Sequence, residues 1–166
     1  MAGMAILVLV PLIYGIIAIN TGDLLWASPI FNGQPSTIVI HCYGKDITLE
    51  EGSVQFAELN QRFNTALSGR KHWDDTSLSE QTYQEYQTSP DMMVLQLYYP
   101  EPVRVHSNYK FFSKVDTLIV PLVGRHASSA AIFGRLGRYP TAGSFHIESM
   151  TLLTDYIASD NLCHNP

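Results

Sequence analysis

Apolar positions fall along this chain in three distinct ways. The first is a run without charge over residues 1–19 (MAGMAILVLVPLIYGIIAI), where 16 residues are apolar and only Gly3, Pro11 and Gly15 interrupt. A helix of that length spans about 28 Å at ~1.5 Å per residue, close to the hydrocarbon thickness of a bilayer. Lipid-embedded helices tolerate Gly and Pro better than soluble ones do. Residues 20–23 (NTGD) end the run, and Trp26 beyond it suits an interfacial anchor. The pattern predicts a single membrane-spanning helix over 1–23. A cleaved secretory signal fits less well, because no basic n-region precedes the run and no A-x-A site follows it. A buried two-stranded hairpin bent between Pro11 and Gly15 is the remaining alternative.

The second pattern has a period of 3.6. Phe56, Leu59, Phe63, Ala66 and Leu67 recur at helical spacing between Ser53, a natural N-cap, and Gly69, a natural stop. A shorter helix is predicted near 78–87, with Ser77 and Glu80 in capping-box register. Another follows Ser149 and carries Met150, Leu153, Tyr156 and Ile157. The intervening 70–76 reads as an exposed loop.

The third pattern is extended. Residues 37–43 (TIVIHCY) are β-branched and aromatic, with Ile38 and Ile40 on one face and His41 on the other. Gly44, Lys45 and Asp46 then read as a turn. MMVLQLYY and PVRVHS flank Pro100 and Pro102 and read as two extended runs joined by a tight bend. Residues 115–123 form a further strand, where Pro121 implies an edge or a bulge. Segments 129–136 and 144–149 complete the set. Runs of strands separated by short turns, with helices outside them, predict an α+β fold. It comprises the anchor, a tether over 24–36, and a domain over 37–166 with a mainly antiparallel sheet packed by two or three helices.

Composition sharpens this picture. The chain has 166 residues, 46% apolar and 15% charged, with net charge −5 and two cysteines. Without the first 19 residues it has 60 apolar residues in 147, about 41%, an ordinary globular value. Disorder and a cysteine-stapled miniprotein are excluded. Binding to nucleic acid through bulk positive charge is disfavoured by a pI near 5.6. The charges are unevenly placed. Residues 46–91 hold nine acids and three bases, and residues 101–138 hold six bases and two acids.

Candidate chemistry is sparse. Cys42 and Cys163 read either as a disulfide tying the C-terminal tail to the first strand or as two unpaired thiols, whereas a metal site with His41 and His164 is disfavoured because neighbouring strand residues point to opposite faces. Ser107 and Lys110 match S-x-x-K, and residues 159–161 match S-D-N. The third element of that signature, K-T-G, is absent, and the serine follows an extended run. No nucleophile elbow, zinc-protease, Walker or dinucleotide motif occurs, and the six histidines lie in six segments. No catalytic residue set, cofactor or metal is implied. Arg104, Tyr109, Lys110, Arg125, His126, Arg135, Arg138 and Tyr139 are the candidate interaction patch, combining basic and aromatic side chains.

The expectation is a non-enzymatic accessory or interaction subunit. It sits in the cell membrane through residues 1–19, carries its domain outside the cytoplasm, and docks on other membrane protein subunits. The alternative is an extracytoplasmic ligand-binding or hydrolytic domain with a pocket near 104–126 and 137–144, using His106, Arg125, His126 and Ser144. The small-molecule ligand of that alternative is not specified by the sequence.

Overall fold

A computed structural model describes residues 2–163. Helix α1 (Ala2–Thr21) has 20 residues, about 30 Å of backbone at ~1.5 Å per residue. Its side chains are described from Ile6 onward. Among the described residues no helix is long and apolar enough to cross a membrane. The segment is helical as expected, the membrane-spanning part of that expectation has no support in this finding, and placement in lipid is taken up below as a proposal.

The domain is α+β. Its strands are β1 (Thr37–Cys42), β2 (Lys45–Glu50), β3 (Lys71–Asp74), β4 (Met93–Val103), β5 (Val115–Val123), β6 (Ala131–Leu136), β7 (Tyr139–Pro140) and β8 (Ser144–Ile147). They form one antiparallel sheet in the order β2-β1-β4-β5-β6-β8-β3, with β7 on β6. Helices α2 (Val54–Leu67), α3 (Glu80–Thr88) and α4 (Thr151–Ser159) pack on it.

The two-residue period of the strands decides which helix covers which face. Ile38 and Ile40 of β1, Leu95 and Leu97 of β4, and Leu118 and Val120 of β5 share one face with α2 and α4. Val94, Ile119 and Phe133 point the other way, onto Tyr86 of α3 and Leu78 before it. The main core thus lies between the sheet and α2 with α4. Full burial of Leu59, Phe63, Leu67 and Leu153 contributes about 1.5–3 kcal/mol each.

Local signals account for the helix ends. Ser53 accepts the Phe56 amide and starts α2. In α3 the cap is Ser79, whose Oγ accepts the Thr82 amide at 3.1 Å, so the Ser77–Glu80 capping box is not formed.

Three further expectations are corrected. Residues 45–46 open strand β2 instead of completing a turn, and 71–74 are strand β3 instead of loop. Both are sheet edges, short or rich in charge and therefore weak in apolar alternation. The two runs around Pro100 and Pro102 are one strand, β4, whose pairing with β5 shifts register between Tyr98 and Val103. The prolines are exposed in that shift, where no ladder amide is needed. Pro121 lies on β5 inside the sheet, at a register shift and beyond the residues that pair with β6.

Candidate functional site

The chain leaves α1 through a tightly bonded joint. Asp23 is 6% exposed. Its carboxylate accepts the Leu25 amide at 2.9 Å, meets His106 Nδ1 at 2.9 Å and lies 3.9 Å from the Arg104 guanidinium. Arg104 also reaches the Thr21 carbonyl at the helix end. Just past Asp23 the chain turns back along α1. The Trp26 ring packs on Tyr14 with centroids 5.3 Å apart, its Nε1 donates to the Tyr14 carbonyl at 3.3 Å, and the Tyr14 hydroxyl donates to the Leu24 carbonyl. Helix and domain are therefore held together by contacts more than 80 residues apart in sequence. Nothing local in the sequence pairs Asp23 with His106.

Above this joint α1 is bare. Leu7, Leu9, Leu12, Ile13, Ile16 and Ile19 are 51–85% exposed. Leu24, Leu25 and Ile30 extend the apolar surface into the segment that follows. A monomeric soluble surface rarely carries so long a contiguous apolar patch.

The basic candidates do not form one patch. Arg104 belongs to the joint. Arg125 pairs with Glu85 at 2.9 Å and donates to Thr82. Arg135 is 5% exposed, bound to Glu80 at 3.1 Å and to the Arg138 carbonyl at 2.7 Å, with its guanidinium 3.9 Å over the Tyr83 ring. Three of the predicted cations are thus neutralised by acids from earlier in the chain. Lys110 and Arg138 remain exposed. Tyr109 stacks on Trp73 at 5.0 Å beside Phe111, and Arg138 lies over its neighbour Tyr139.

The pocket foreseen around His106, Arg125, His126 and Ser144 does not gather these four side chains. His106 lines a groove of about 470 Å³ with Leu25, Ile30 and Arg104. His126 Nδ1 is hydrogen-bonded to the Tyr86 hydroxyl at 2.5 Å. Its pKa is lowered by burial first, then by the charges of Arg125 and His146. Burial holds the Tyr86 hydroxyl well above the ordinary phenol value, which keeps it a donor.

Ser144 instead joins a trio that sequence reasoning did not assemble. Its Oγ lies 3.2 Å from His146 Nε2 and 3.4 Å from Asp74. Asp74 Oδ2 lies 3.1 Å from that same Nε2, and His146 Nδ1 is bonded to the Ser129 carbonyl at 2.8 Å. In a hydrolytic triad the serine and the acid occupy opposite ring nitrogens. Here they share one, the other is taken by a backbone carbonyl, and Ser144 is fully buried. The trio pins strand β3 to β8 and is not arranged for nucleophilic relay. Hydrogen bonds from Thr76, and then the charge of His146, outweigh burial and hold the Asp74 carboxyl below its usual range.

Ser107 Oγ bonds the backbone of Tyr109 at both of its polar groups, so the S-x-x-K match finds no structural counterpart in Lys110. Among the described residues no group of three or more His, Cys, Asp or Glu is placed to hold a metal ion. Cys42 and Cys163 are joined as a disulfide, their Cα atoms 5.6 Å apart. His164 lies outside the described residues.

A groove of about 700 Å³ runs along α2 beside residues 31–34, lined by Phe31, Gln34, Phe56, Asn60, Gln61 and Asn64 among others. Sequence reasoning missed it, since amides on a helix read as an ordinary solvated face. Comparison with protein-family models, with characterised proteins and with solved structures finds no match.

Proposed function

We propose that this chain is a membrane-anchored, non-enzymatic interaction subunit, with α1 embedded in a bilayer and the α+β domain carried outside the cytoplasm against a larger membrane complex. One observation carries the reading: among the described residues of α1, the apolar side chains Ile6, Leu7, Val8, Leu9, Val10, Leu12, Ile13, Ile16 and Ile19 are all more than half exposed. Leaving them in water costs about 25 cal/mol per Å² of apolar surface, so lipid or another apolar helix is the favourable environment. The Cys42–Cys163 bond fits an oxidising compartment and supports the extracytoplasmic side. A hydrolytic reading has less support, because the Ser144, His146 and Asp74 contacts lack a relay and the four residues of the foreseen pocket are engaged separately.

The test is extraction of native membranes in mild detergent, followed by native electrophoresis and cross-linking. The subunit reading expects the chain to sediment with membranes and to co-migrate with other subunits. A membrane-bound chain that always migrates alone sinks the subunit role, and one that stays in the aqueous fraction sinks the anchor.

A further inference from the structure

The turn after α1 does not lead the chain away from that helix. Trp26 comes back to Tyr14, which lies seven residues before Thr21, about 10 Å along the axis at ~1.5 Å per residue. Residues 24–26 therefore run beside the last turns of α1 instead of above them. Several of their polar groups are bonded within the chain. The Trp26 Nε1 and the Tyr14 hydroxyl each donate to a backbone carbonyl, and the Leu25 amide donates to Asp23. What remains outward is apolar: Leu24 is 77%, Leu25 58% and Ile30 65% exposed.

Charge points the same way. Asp23 is the only acidic or basic side chain before Lys45, His41 aside. It is buried and faces His106 and Arg104. No unpaired charged side chain is presented over residues 6–44. A Tyr–Trp pair with satisfied polar tips, flanked by exposed leucines, matches the chemistry of the interfacial layer of a bilayer.

We propose that residues 24–30 are immersed in the interfacial layer of the bilayer that holds α1, so that the domain is seated on the lipid with Leu24, Leu25, Trp26 and Ile30 in contact with it. The inference rests on α1 lying in a bilayer, and continuity with the exposed face of α1 is what selects lipid as the occupant. The Asp23–Arg104–His106 joint then sets the tilt of the domain over the membrane.

The full chain carrying Trp73→Phe leaves Trp26 as the sole indole. It is reconstituted into phosphatidylcholine vesicles, and into vesicles whose lipid is brominated on the upper acyl chain. Flotation first reports whether the chain is bound. The proposal expects brominated lipid to quench Trp26 emission, because the ring lies at headgroup and upper-chain depth, while aqueous iodide leaves it nearly unchanged. A Trp26→Phe chain, retaining Trp73, supplies the comparison should Trp73→Phe disturb the fold, and its emission is expected to be insensitive to bromine. Floating vesicles with Trp26 open to iodide and untouched by bromine overturn the seating and leave the anchor standing. Bromine and iodide both without effect overturn it too, and indicate a second protein surface over Trp26. A chain that does not float overturns the anchor and the seating together.

Discussion

Asn64 holds Gly33 with both ends of its carboxamide: Oδ1 accepts the Gly33 amide at 3.1 Å and Nδ2 donates to the Gly33 carbonyl at 3.0 Å. One turn further along, Ser68 does the same for Phe31, accepting its amide at 2.8 Å and donating to its carbonyl at 3.1 Å. One turn before, Asn60 donates to the Gln34 side chain. Residues 31–34, the stretch before strand β1, are thus strapped to α2 at helical intervals. Asn64→Ala leaves both groups of Gly33 without a protein partner and is expected to cost about 1–3 kcal/mol. Gly33→Ala is expected to cost at least as much, since a Cβ there meets the Phe31 ring at 2.6 Å and the Tyr99 ring at 2.8 Å. Urea denaturation of the full chain in detergent measures both. An Asn64→Ala chain as stable as the parent would show that the strap contributes nothing.

The Cys42–Cys163 bond closes a loop with a sequence separation of 121 residues. In the chain-entropy model a loop of that size contributes roughly 5 kcal/mol. The Cys42→Ser, Cys163→Ser chain should lose several kcal/mol, and reductant should lower the denaturation midpoint of the parent but not of the variant. Identical midpoints with and without reductant would refute it.

Protonation of His126 is opposed by burial and by the neighbouring charges of Arg125 and His146, against a smaller pull from Asp74. A histidine whose folded pKa lies below the unfolded value near ~6.5 favours the fold fully above that value. The contribution is lost as pH falls from there through the folded pKa. Following the imidazole resonance by NMR should give a midpoint below that of a free histidine. Denaturation should show stability declining on the acid side of neutrality, and a midpoint at or above the free value would contradict the reading.

Arg135 and Arg138 are neighbours in the basic stretch with opposite situations. Arg135 bridges Glu80 and the Arg138 carbonyl from a buried position, and a lysine loses the second Nη contact to Glu80 and the planar stacking on the Tyr83 ring. Arg135→Lys is expected to cost about 1–3 kcal/mol, and the exposed Arg138→Lys less than about 0.5 kcal/mol. Equal effects in urea denaturation would mean that burial of Arg135 has no energetic consequence.

Sequence alone determined the parts of this protein whose signal is local. The 3.6-residue stripe from Phe56 to Leu67 and the Ser53 cap define α2, and alternation around Ile38 and Ile40 defines β1. Both rest on backbone periodicity, which needs no knowledge of partners. The apolar run that becomes α1 is legible for the same reason. Strands β2 and β3 were not legible, because a sheet edge gains its pairing from a neighbour and carries little pattern of its own. Nor were the pairings that bear on function. Arg104 with Asp23, Arg135 with Glu80, and Ser144 with Asp74 join residues 55 or more apart, and only the strand order β2-β1-β4-β5-β6-β8-β3 brings such residues together. Three of the five cations in the candidate patch became, in three dimensions, members of ion pairs, and Lys110 and Arg138 stayed exposed. Most of the apolar surface of α1 stayed exposed among the described residues, since the segment that turns back reaches only Tyr14.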